Sequence, residues 1–307
     1  MTILVAGKTG LVGSAILRGL NKAGKAAVGI NSKDVNLLDR KKTFEYIQDL
    51  KPSLIIDAAA RVGGIGANSN FPVDFLSENL QIQCNLMDAA HVAKVEKFVF
   101  LGSSCIYPKF ATQPLSEGSL LTGVLEESNS AYAIAKIAGI ELIKSYRKQF
   151  GHNWISLMPT NLYGPYDNFD LENSHVLPAL IRKFIDAKNA NSDSVTLWGS
   201  GTPLRDFMHV DDLSEAVIFC SEKFNENEHI NIGSGQEISI NNLAVLISKI
   251  VGFTGRIEWD KSRLDGTPRK VLDVSKLESY GWTPKISLEN GIRDTVKWYQ
   301  SKGVAIK

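Results

Sequence analysis

"VAGKTGLVGSAI", residues 5–16, contains three glycines at GxxGxxG spacing between a strand-like run and a helical pattern. Glycine permits a tight turn and lets the backbone approach a pyrophosphate at the helix N-terminus, where N–H groups and the helix dipole favour an anion. A glycine triplet alone is weak, but this one follows a strand and precedes a helix, as the dinucleotide-binding fingerprint requires. The stretch therefore predicts a dinucleotide-binding turn made of Gly7, Lys8, Thr9, Gly10, Leu11, Val12 and Gly13.

The pattern around this turn predicts an α/β fold. Apolar runs such as TILVAG, SLIIDAAA and KFVFLGSS alternate with helical patterns near 11–23, 40–50, 74–93 and 131–150. Strands that are hydrophobic throughout are typical of a parallel sheet covered on both faces, which here is a doubly wound parallel sheet of the Rossmann type. Later in the chain the pattern loosens, as Gly, Pro and Asn become frequent and the strands become shorter.

This change of pattern indicates two domains. We predict a dinucleotide-binding domain over residues 1–164, rejoined by about 206–234, where a helix in RDFMHVDDLSEAVIFC and a strand in EHINIGSG return to the first sheet. Residues 165–205 and 235–307 are predicted to form a second, smaller, discontinuous α/β domain that binds the substrate. The segment around 186–195 is predicted to be a surface loop.

The composition excludes several classes of function. The 307 residues include 34 Lys and Arg and 33 Asp and Glu, a net charge of +1, so nothing indicates binding to nucleic acid or to an anionic membrane surface. The chain begins directly with a strand-like run and has no apolar run of transmembrane length. Three widely spaced cysteines and five scattered histidines indicate reduced thiols, a cytoplasmic protein and no metal site.

The residues after the second strand bear on the choice between NAD and NADP. GINSKD contains Lys33, which could neutralise a 2′-phosphate, and Asp34, whose distance from the glycines also fits the acidic residue that binds a ribose hydroxyl. Because Asp34 lies beyond the strand end, we expect NADP(H). Asp39, further along, either contacts the adenine amino group or caps the next helix.

Tyr132 and Lys136 are four residues apart in SAYAIAK and therefore lie on one helical face. A lysine ammonium favours the phenolate, so we expect it to lower the pKa of Tyr132 and to let the phenol exchange a proton with an oxygen undergoing hydride transfer. YxxxK alone is common by chance. Here it follows the glycine turn and the strand end LGSS, which places Ser103 or Ser104 at the sheet edge where ligands bind.

Together these motifs resemble the extended short-chain dehydrogenase/reductases that act on nucleotide sugars, a group that includes 4-epimerases and 4,6-dehydratases. The dehydratases typically have Thr, Asp and Glu after the serine, whereas Ser104, Cys105 and Ile106 stand here. Over essentially the whole chain, the closer resemblance is to the GDP-L-fucose synthase family. It is carried by AAARVGGIGANSNFP, LGSSCIYPK, SAYAIAK, PTNLYGPYDNF, NSHVLPALIRKF, WGSGTPLRDFMHVDDL and DGTPRKVLDVSKL.

The resemblance implies a function and a set of site residues. That family uses NADPH to convert GDP-4-keto-6-deoxymannose to GDP-L-fucose, by epimerising carbons 3 and 5 and then reducing the 4-ketone. Tyr132, Lys136 and Ser103 are implied to serve the reduction. Cys105 and His175 are implied to be the base and acid of the epimerisations, as a thiolate and an imidazolium on opposite sides of the ring. A buried hydrophobic cysteine and a structural histidine are the competing interpretations.

The resemblance also implies the ligand contacts. Beyond the glycine turn, the cofactor is implied to contact Lys33, Asn36, Leu37, Leu101, Gly102, Ser103, Ser104, Lys136, Pro159, Thr160, Asn161, Leu162 and His175. The nucleotide sugar is implied to contact Lys183, Trp198, Arg205 and Asp265. The family more often has Arg at the positions of Lys33 and Lys183, which bears on the strength of phosphate binding and not on its place.

The apolar surfaces of two predicted helices indicate a second copy of the chain as a partner. The helix near 74–93 carries apolar residues on two stripes, and the helix near 131–146 is apolar nearly all round. A sheet covers only one face of each, so the remaining apolar surface predicts a helix–helix homodimer, as the resemblance also implies. Burial within one large domain is the alternative. The rival functions are an NAD-dependent nucleotide-sugar 4-epimerase or 4,6-dehydratase, and a non-enzymatic NADP sensor.

Overall fold

The computed structural model describes residues 2–262 and 265–302, and strands alternate with helices over the first half of the chain. The elements of that half are β1 (Ile3–Ala6), α1 (Leu11–Lys22), β2 (Ala27–Ile30), α2 (Arg40–Leu50), β3 (Leu54–Asp57), α3 (Ile65–Asn70), α4 (Pro72–Val92), β4 (Lys97–Leu101), α5 (Ser130–Phe150), β5 (Ile155–Pro159) and β6 (Asn161–Tyr163). Those of the second half are α6 (Val176–Asn189), β7 (Ser194–Trp198), β8 (Leu204–His209), α7 (Val210–Lys223), β9 (Ile230–Ile232), β10 (Glu237–Ser239), α8 (Ile240–Val251), β11 (Arg256–Asp260), β12 (Arg269–Lys270), α9 (Ser275–Ser279) and α10 (Leu288–Ser301).

Six strands form one parallel sheet in the order β2-β1-β3-β4-β5-β9. Because side chains alternate along a strand, the sheet contributes to two cores, one with α2, α4 and α5 and the other with α1 and α7. The strand order reverses between β1 and β3, and ligands bind at the carboxyl ends of strands at such a point. The predicted doubly wound parallel sheet is confirmed.

The remaining strands form two small sheets. In the larger one, β8 pairs with β6 and β12 in parallel and with β10 in antiparallel orientation. In the smaller one, β7 pairs with β11. A third core fills the space between these strands and α6, α8 and α10, with Phe184, Ile247 and Ile292 among its buried residues.

Several local predictions differ from the structure. RDFMH, predicted as the start of a helix, is part of strand β8, and the helix begins only at Val210, where the His209 imidazole accepts a hydrogen bond from the Asp211 amide. The segment around 186–195, predicted as a loop, begins inside α6 and ends inside β7. The strand β9 does return to the first sheet, and α7 packs on α1. The residue ranges of the two domains stay a prediction.

The described residues contain no helix that is both long and apolar enough to cross a membrane.

Asp167, in the loop between β6 and α6, carries a poorly compensated carboxylate. Its Oδ1 accepts a hydrogen bond from the Asn168 amide at 2.8 Å, whereas its buried Oδ2 has no partner among the residues described. Burial raises the pKa of Asp167 from 3.8 to about 7. The folded protein therefore binds more protons than the unfolded chain between these two values, and its stability falls as pH rises through that window.

Asp167→Asn should raise the free energy of unfolding by about 2 kcal/mol at pH 8, because the amide cannot become a buried charge. Below about pH 3 the carboxyl is mostly protonated in both states, so variant and wild type should have nearly equal stability. Denaturant unfolding at the two pH values measures this difference. Equal stabilisation at both would contradict the explanation.

Candidate active site

The glycine turn between β1 and α1 leaves no room for side chains. Gly7 has φ +88°, and a Cβ there would lie 2.6 Å from the Ala58 carbonyl oxygen. A Cβ at Gly13 would lie 2.2 Å from the Gly7 carbonyl oxygen. Gly10 caps α1 without a side-chain hydrogen bond, so the amides of the first helical turn remain for a ligand. This cradle fits a dinucleotide diphosphate.

The acidic residue after β2 is already engaged. Asp34 accepts a hydrogen bond from the Asn31 amide at 2.9 Å and pairs with the Lys8 ammonium at 2.7 Å, and the hydrogen bond from Lys8 is the main cause of its lowered pKa. Lys33 is exposed next to it. Since Lys8 neutralises the carboxylate, this corner of the site suits a 2′-phosphate better than a free ribose hydroxyl.

The next predicted contacts line the chain as it enters α2. Asn36 is exposed and Leu37 is buried. Asp39 caps α2, where its side chain accepts a hydrogen bond from the Lys42 amide at 3.1 Å. The helix-capping alternative for Asp39 is therefore confirmed, and a contact with adenine stays a prediction.

Tyr132 and Lys136 lie on the first turns of α5 and face the end of β4. The buried Lys136 ammonium donates a hydrogen bond to the Leu101 carbonyl at 2.9 Å, and it lies 4.9 Å from the centre of the Phe100 ring and 5.8 Å from that of Tyr132. The Tyr132 ring packs edge-on against Phe75. The lysine is therefore fixed by the strand end, with the phenol ring next to it.

The expected lowering of the Tyr132 pKa is wrong. Burial raises the pKa of Tyr132, and the neighbouring acids Cys105 and Asp57 add to this effect when they are ionised. Burial also lowers the pKa of Lys136. The sequence shows a lysine one helical turn away but does not show how deeply both groups are buried. The resting phenol is protonated, which suits it to give a proton away.

Ser103, Ser104 and Cys105 follow β4 in a short 3-10 turn. The Ser103 hydroxyl accepts a hydrogen bond from the Cys105 amide at 3.4 Å, and Ser103 is the less buried of the two serines. Before them, Leu101 and Gly102 are buried, and a Cβ at Gly102 would lie 2.3 Å from the Met158 sulfur. The structure therefore favours Ser103 over Ser104 as the serine that can reach a ligand.

His175 is the residue before α6, and its side chain makes no capping hydrogen bond. The loop after β3, which contains α3, holds the chain just ahead of it. The Gly64 amide donates to the Asn173 carbonyl at 3.0 Å, and a Cβ at Gly64 would lie 2.8 Å from the Ser174 carbonyl oxygen. The AAARVGGIGANSNFP stretch therefore sets the position of His175.

Cys105 and His175 are both neutral at rest. Burial raises the pKa of the Cys105 thiol, although the charges of Lys270 and Lys136 and a bond from Ser103 oppose this. Desolvation lowers the pKa of the His175 imidazole, and the charge of Lys270 lowers it further. The predicted pair of thiolate and imidazolium is therefore not the resting form.

Lys270 is a site residue that the sequence reasoning did not single out. It lies in DGTPRK, on β12, and its charge acts on Cys105 and on His175. It also shares a cavity with Cys105 and Glu126 and stands in register with Arg205 of β8. The sequence indicated Lys270 only by its place in the DGTPRK motif. It lies more than 160 residues from Cys105 along the chain, so the sequence did not show that the two residues line one cavity.

The four residues predicted to hold the nucleotide sugar come together near β7 and β8. The Lys183 ammonium donates to the Thr196 carbonyl at 3.2 Å and lies 5.0 Å from the centre of the Trp198 ring. Asp265 accepts hydrogen bonds from the Ser200 amide and hydroxyl. Burial lowers the pKa of Arg205, while Asp265 and Glu126 oppose this. Two cations, a flat ring and a carboxylate thus line one region.

The segment 159–162 connects the two larger sheets. The Thr160 hydroxyl and the Asn161 amide both donate to the Asp206 carbonyl, at 3.2 and 2.8 Å. Pro159 ends β5, and Leu162 is half-buried against the core of the first sheet. These polar side chains are used in holding β6 against β8, which leaves their backbone for any contact with a cofactor.

A family model, the NAD dependent epimerase/dehydratase family, matches residues 3–233. The probable GDP-L-fucose synthase 1 of Oryza sativa subsp. japonica is 52% identical over 99% of this chain and 94% of its own length. The chain belongs to this epimerase/dehydratase family and to its GDP-L-fucose synthase branch. The resemblance seen in the sequence is confirmed.

Two further proteins with this name or a similar one support the assignment. The GDP-L-fucose synthase of Escherichia coli (strain K12) is 47% identical over 97% of this chain and 96% of its own length. A GDP-L-fucose synthetase from Naegleria fowleri, solved bound to NADP, superposes with a TM-score of 0.91 at 29% identity, covering 98% of this chain and 94% of that chain.

Proposed function

We propose that this member of the GDP-L-fucose synthase branch is an NADPH-dependent enzyme that converts GDP-4-keto-6-deoxymannose to GDP-L-fucose. It would epimerise carbons 3 and 5 and then reduce the ketone at carbon 4. The observation that carries the proposal is that the end of β4 holds Lys136 through the Leu101 carbonyl, while the turn directly after it carries Ser103 and Cys105, and Cys105 lines one cavity with Lys270. Proton-transfer groups and a reductase pair thus share one site, and the names of the relatives support the substrate.

The glycine turn and the residues after β2 suit NADP(H). The first-turn amides of α1 would hold the diphosphate, and Lys33 would meet the 2′-phosphate while Lys8 occupies Asp34. When bound, NADPH supplies the hydride that reduces the ketone. The relative solved with NADP supports this cofactor.

Tyr132, Lys136 and Ser103 would act on the oxygen of carbon 4. Tyr132 would donate its proton to this oxygen, because burial keeps the phenol protonated at rest. The ammonium of Lys136, fixed on the Leu101 carbonyl, would stabilise the phenolate that remains. The Ser103 hydroxyl would donate a hydrogen bond to the same oxygen as its negative charge develops.

Cys105 and His175 would invert carbons 3 and 5. A proton next to a ketone is acidic because the enolate oxygen takes the charge, and inversion removes a proton on one face and returns one on the other. Since both groups are neutral at rest, Cys105 must first release its thiol proton to solvent before it can remove a proton from the sugar, and His175 must take up a proton from solvent before it can return one to the other face. Lys270 favours the thiolate and disfavours the imidazolium, so it favours Cys105 as the group that removes the proton.

The nucleotide part of the substrate would lie across β8 and β12. Arg205 and Lys270 stand side by side in the sheet register, and each is a desolvated cation that a diphosphate would stabilise. Trp198, 54% exposed, offers a flat apolar face, and Lys183 and Asp265 lie next to it in space. A nucleoside diphosphate sugar has the groups that match this surface.

The test is incubation with GDP-4-keto-6-deoxymannose and NADPH. We expect loss of NADPH absorbance and a product that NMR identifies as inverted at carbons 3 and 5. Absence of NADPH oxidation would contradict the proposal and favour an NAD-dependent 4-epimerase or 4,6-dehydratase. A reduced product with the original configuration at carbons 3 and 5 would indicate a ketoreductase that does not epimerise its substrate.

A homodimer through α4 and α5 is the second part of the proposal. Within the chain, Leu86 and Met87 of α4 are buried, but Leu76 and Leu80 are only half-buried. On neighbouring α5, Ile134 is 48% exposed. A second copy would cover this surface.

Light scattering should therefore give twice the mass of one chain, and Leu76→Glu should shift the protein to the monomer. The matched control is Val245→Glu, which places the same charge at a position of α8 that is 52% exposed and should leave the dimer intact. A monomeric wild type would defeat this part of the proposal without affecting the chemistry.

The last part of the proposal is a cytoplasmic location, which is a reducing environment. Cys84, Cys105 and Cys220 are all free thiols in the structure. A cytoplasmic location suits them and would preserve the thiol that the epimerisations need.

A further inference from the structure

Asp57 is a buried carboxylate at the edge of the site that the reactions described above do not use. It ends β3 and is 1% exposed. Its Oδ1 accepts a hydrogen bond from the Ala59 amide at 3.1 Å, whereas its buried Oδ2 has no partner within residues 2–262 and 265–302. A carboxylate so placed is costly to ionise unless a nearby charge compensates it.

The sheet register brings Asp57 to both halves of the cofactor site. It pairs with Ala6, which precedes the glycine turn, and with Phe100, near the end of β4. Because side chains alternate along a strand, it points to the same face as Ile55, which packs in the core shared with α4 and α5. Lys136 of α5 lies on this face.

Lys136 supplies the compensating charge. Its ammonium lies over the ring of Phe100, the strand partner of Asp57, and uses one of its three donors on the Leu101 carbonyl. Burial raises the pKa of Asp57 to about 6, and Lys136 opposes that rise. Burial lowers the pKa of Lys136, and among the charges Asp57 is the main one that opposes it.

We propose that Asp57 is a positioning residue for the reduction, because its carboxylate is the buried counter-charge that keeps the Lys136 ammonium charged next to Tyr132. This rests on the proposed roles of Lys136 and Tyr132. Without Asp57, Lys136 would be a desolvated cation held by one carbonyl, and it would lose its proton at lower pH. A neutral lysine cannot stabilise the phenolate that remains when Tyr132 has given up its proton.

Neighbouring groups do not replace Asp57. Cys105 also raises the pKa of Lys136 when ionised, but burial keeps the thiol protonated at rest. On α4, Gln83 faces α5 and donates to a backbone carbonyl there, and it carries no charge. In the glycine turn, Lys8 is already paired with a carboxylate after β2.

The test is the pH dependence of NADPH oxidation by Asp57→Asn, which keeps the shape of the side chain and removes its charge. At high pH kcat should fall, and we call this fall the alkaline limb. In the variant the alkaline limb should move to lower pH by about one unit, which is a typical pKa shift when one nearby opposite charge is lost. NADPH binding at pH 7, followed by fluorescence, should stay close to wild type. Asp167→Asn, the same change at a buried carboxylate outside this site, should leave the limb in place.

A folded Asp57→Asn enzyme whose alkaline limb coincides with that of wild type overturns the proposal. Should this variant not fold, infrared titration of buried carboxyl groups decides, since Lys136→Met should raise the pH at which the Asp57 band disappears. A band that does not move overturns the pairing. A wild-type protein that never oxidises NADPH with this substrate would instead defeat the proposed function, and the infrared titration would still decide the pairing.

Discussion

Tyr132→Phe should lower the rate of NADPH oxidation with GDP-4-keto-6-deoxymannose by about 10³-fold, the middle of the usual range for loss of a general acid. The substitution removes only the hydroxyl, so the ring can keep its edge-on contact with Phe75. Because burial keeps this phenol protonated, it is a ready donor at neutral pH.

The control for this result is a second tyrosine. Tyr163 is also buried, and its hydroxyl donates to the Leu288 carbonyl at 3.4 Å in the third core. Tyr163→Phe should therefore retain turnover. NADPH binding, followed by fluorescence, should be retained in both variants, which separates chemistry from cofactor affinity. Near-native turnover of Tyr132→Phe would overturn the role given to this phenol.

The fold was predictable because its signals are local. A glycine triplet after an apolar strand, and apolar runs alternating with helical patterns, are features of short stretches, and α1, α2, α4 and α5 lie close to where the pattern placed them. The strand β8 was missed because DFMH is fully buried and continues directly into α7, so no turn residue separates strand from helix.

The chemistry of the site was less predictable because it depends on burial and on contacts between distant parts of the chain. Tyr132 and Lys136 were recognisable from their spacing, but the direction of the tyrosine pKa follows from desolvation, which no spacing shows. In the sequence, Asp57 only marks the end of an apolar strand, and nothing there indicates a contact with Lys136. Lys270 reaches Cys105 only because β12 pairs with β8.

These contacts give the site one electrostatic feature. Buried groups of both signs face each other, and burial favours the neutral form of each acid and base. Cys105 and Tyr132 therefore rest protonated, while Lys270 and Lys136 lie where their charges can stabilise the anions that these groups become. The charges required by the reaction would thus appear when the substrate is present.

Cys105→Ser should slow the exchange of protons at carbons 3 and 5 for solvent deuterium by at least about 10²-fold, because a serine hydroxyl is a much weaker acid than a thiol. NADPH binding should be unchanged. NMR of the sugar in D₂O measures this exchange. The matched control is Cys220→Ser, which changes another buried thiol, on α7. This variant should retain the exchange of sugar protons for solvent deuterium, which we call wash-in.

Lys270→Met adds a second measurement to the same prediction. Burial is the largest cause of the raised Cys105 pKa, and Lys270 is the main charge that opposes it. Removing that charge should shift the rise of deuterium exchange with pH to higher pH, because the thiolate then forms less readily. Wash-in that is unchanged in Cys105→Ser would remove this thiol from the mechanism. A rise that stays in place in Lys270→Met would show that Lys270 does not set the ionisation of the group that removes the proton.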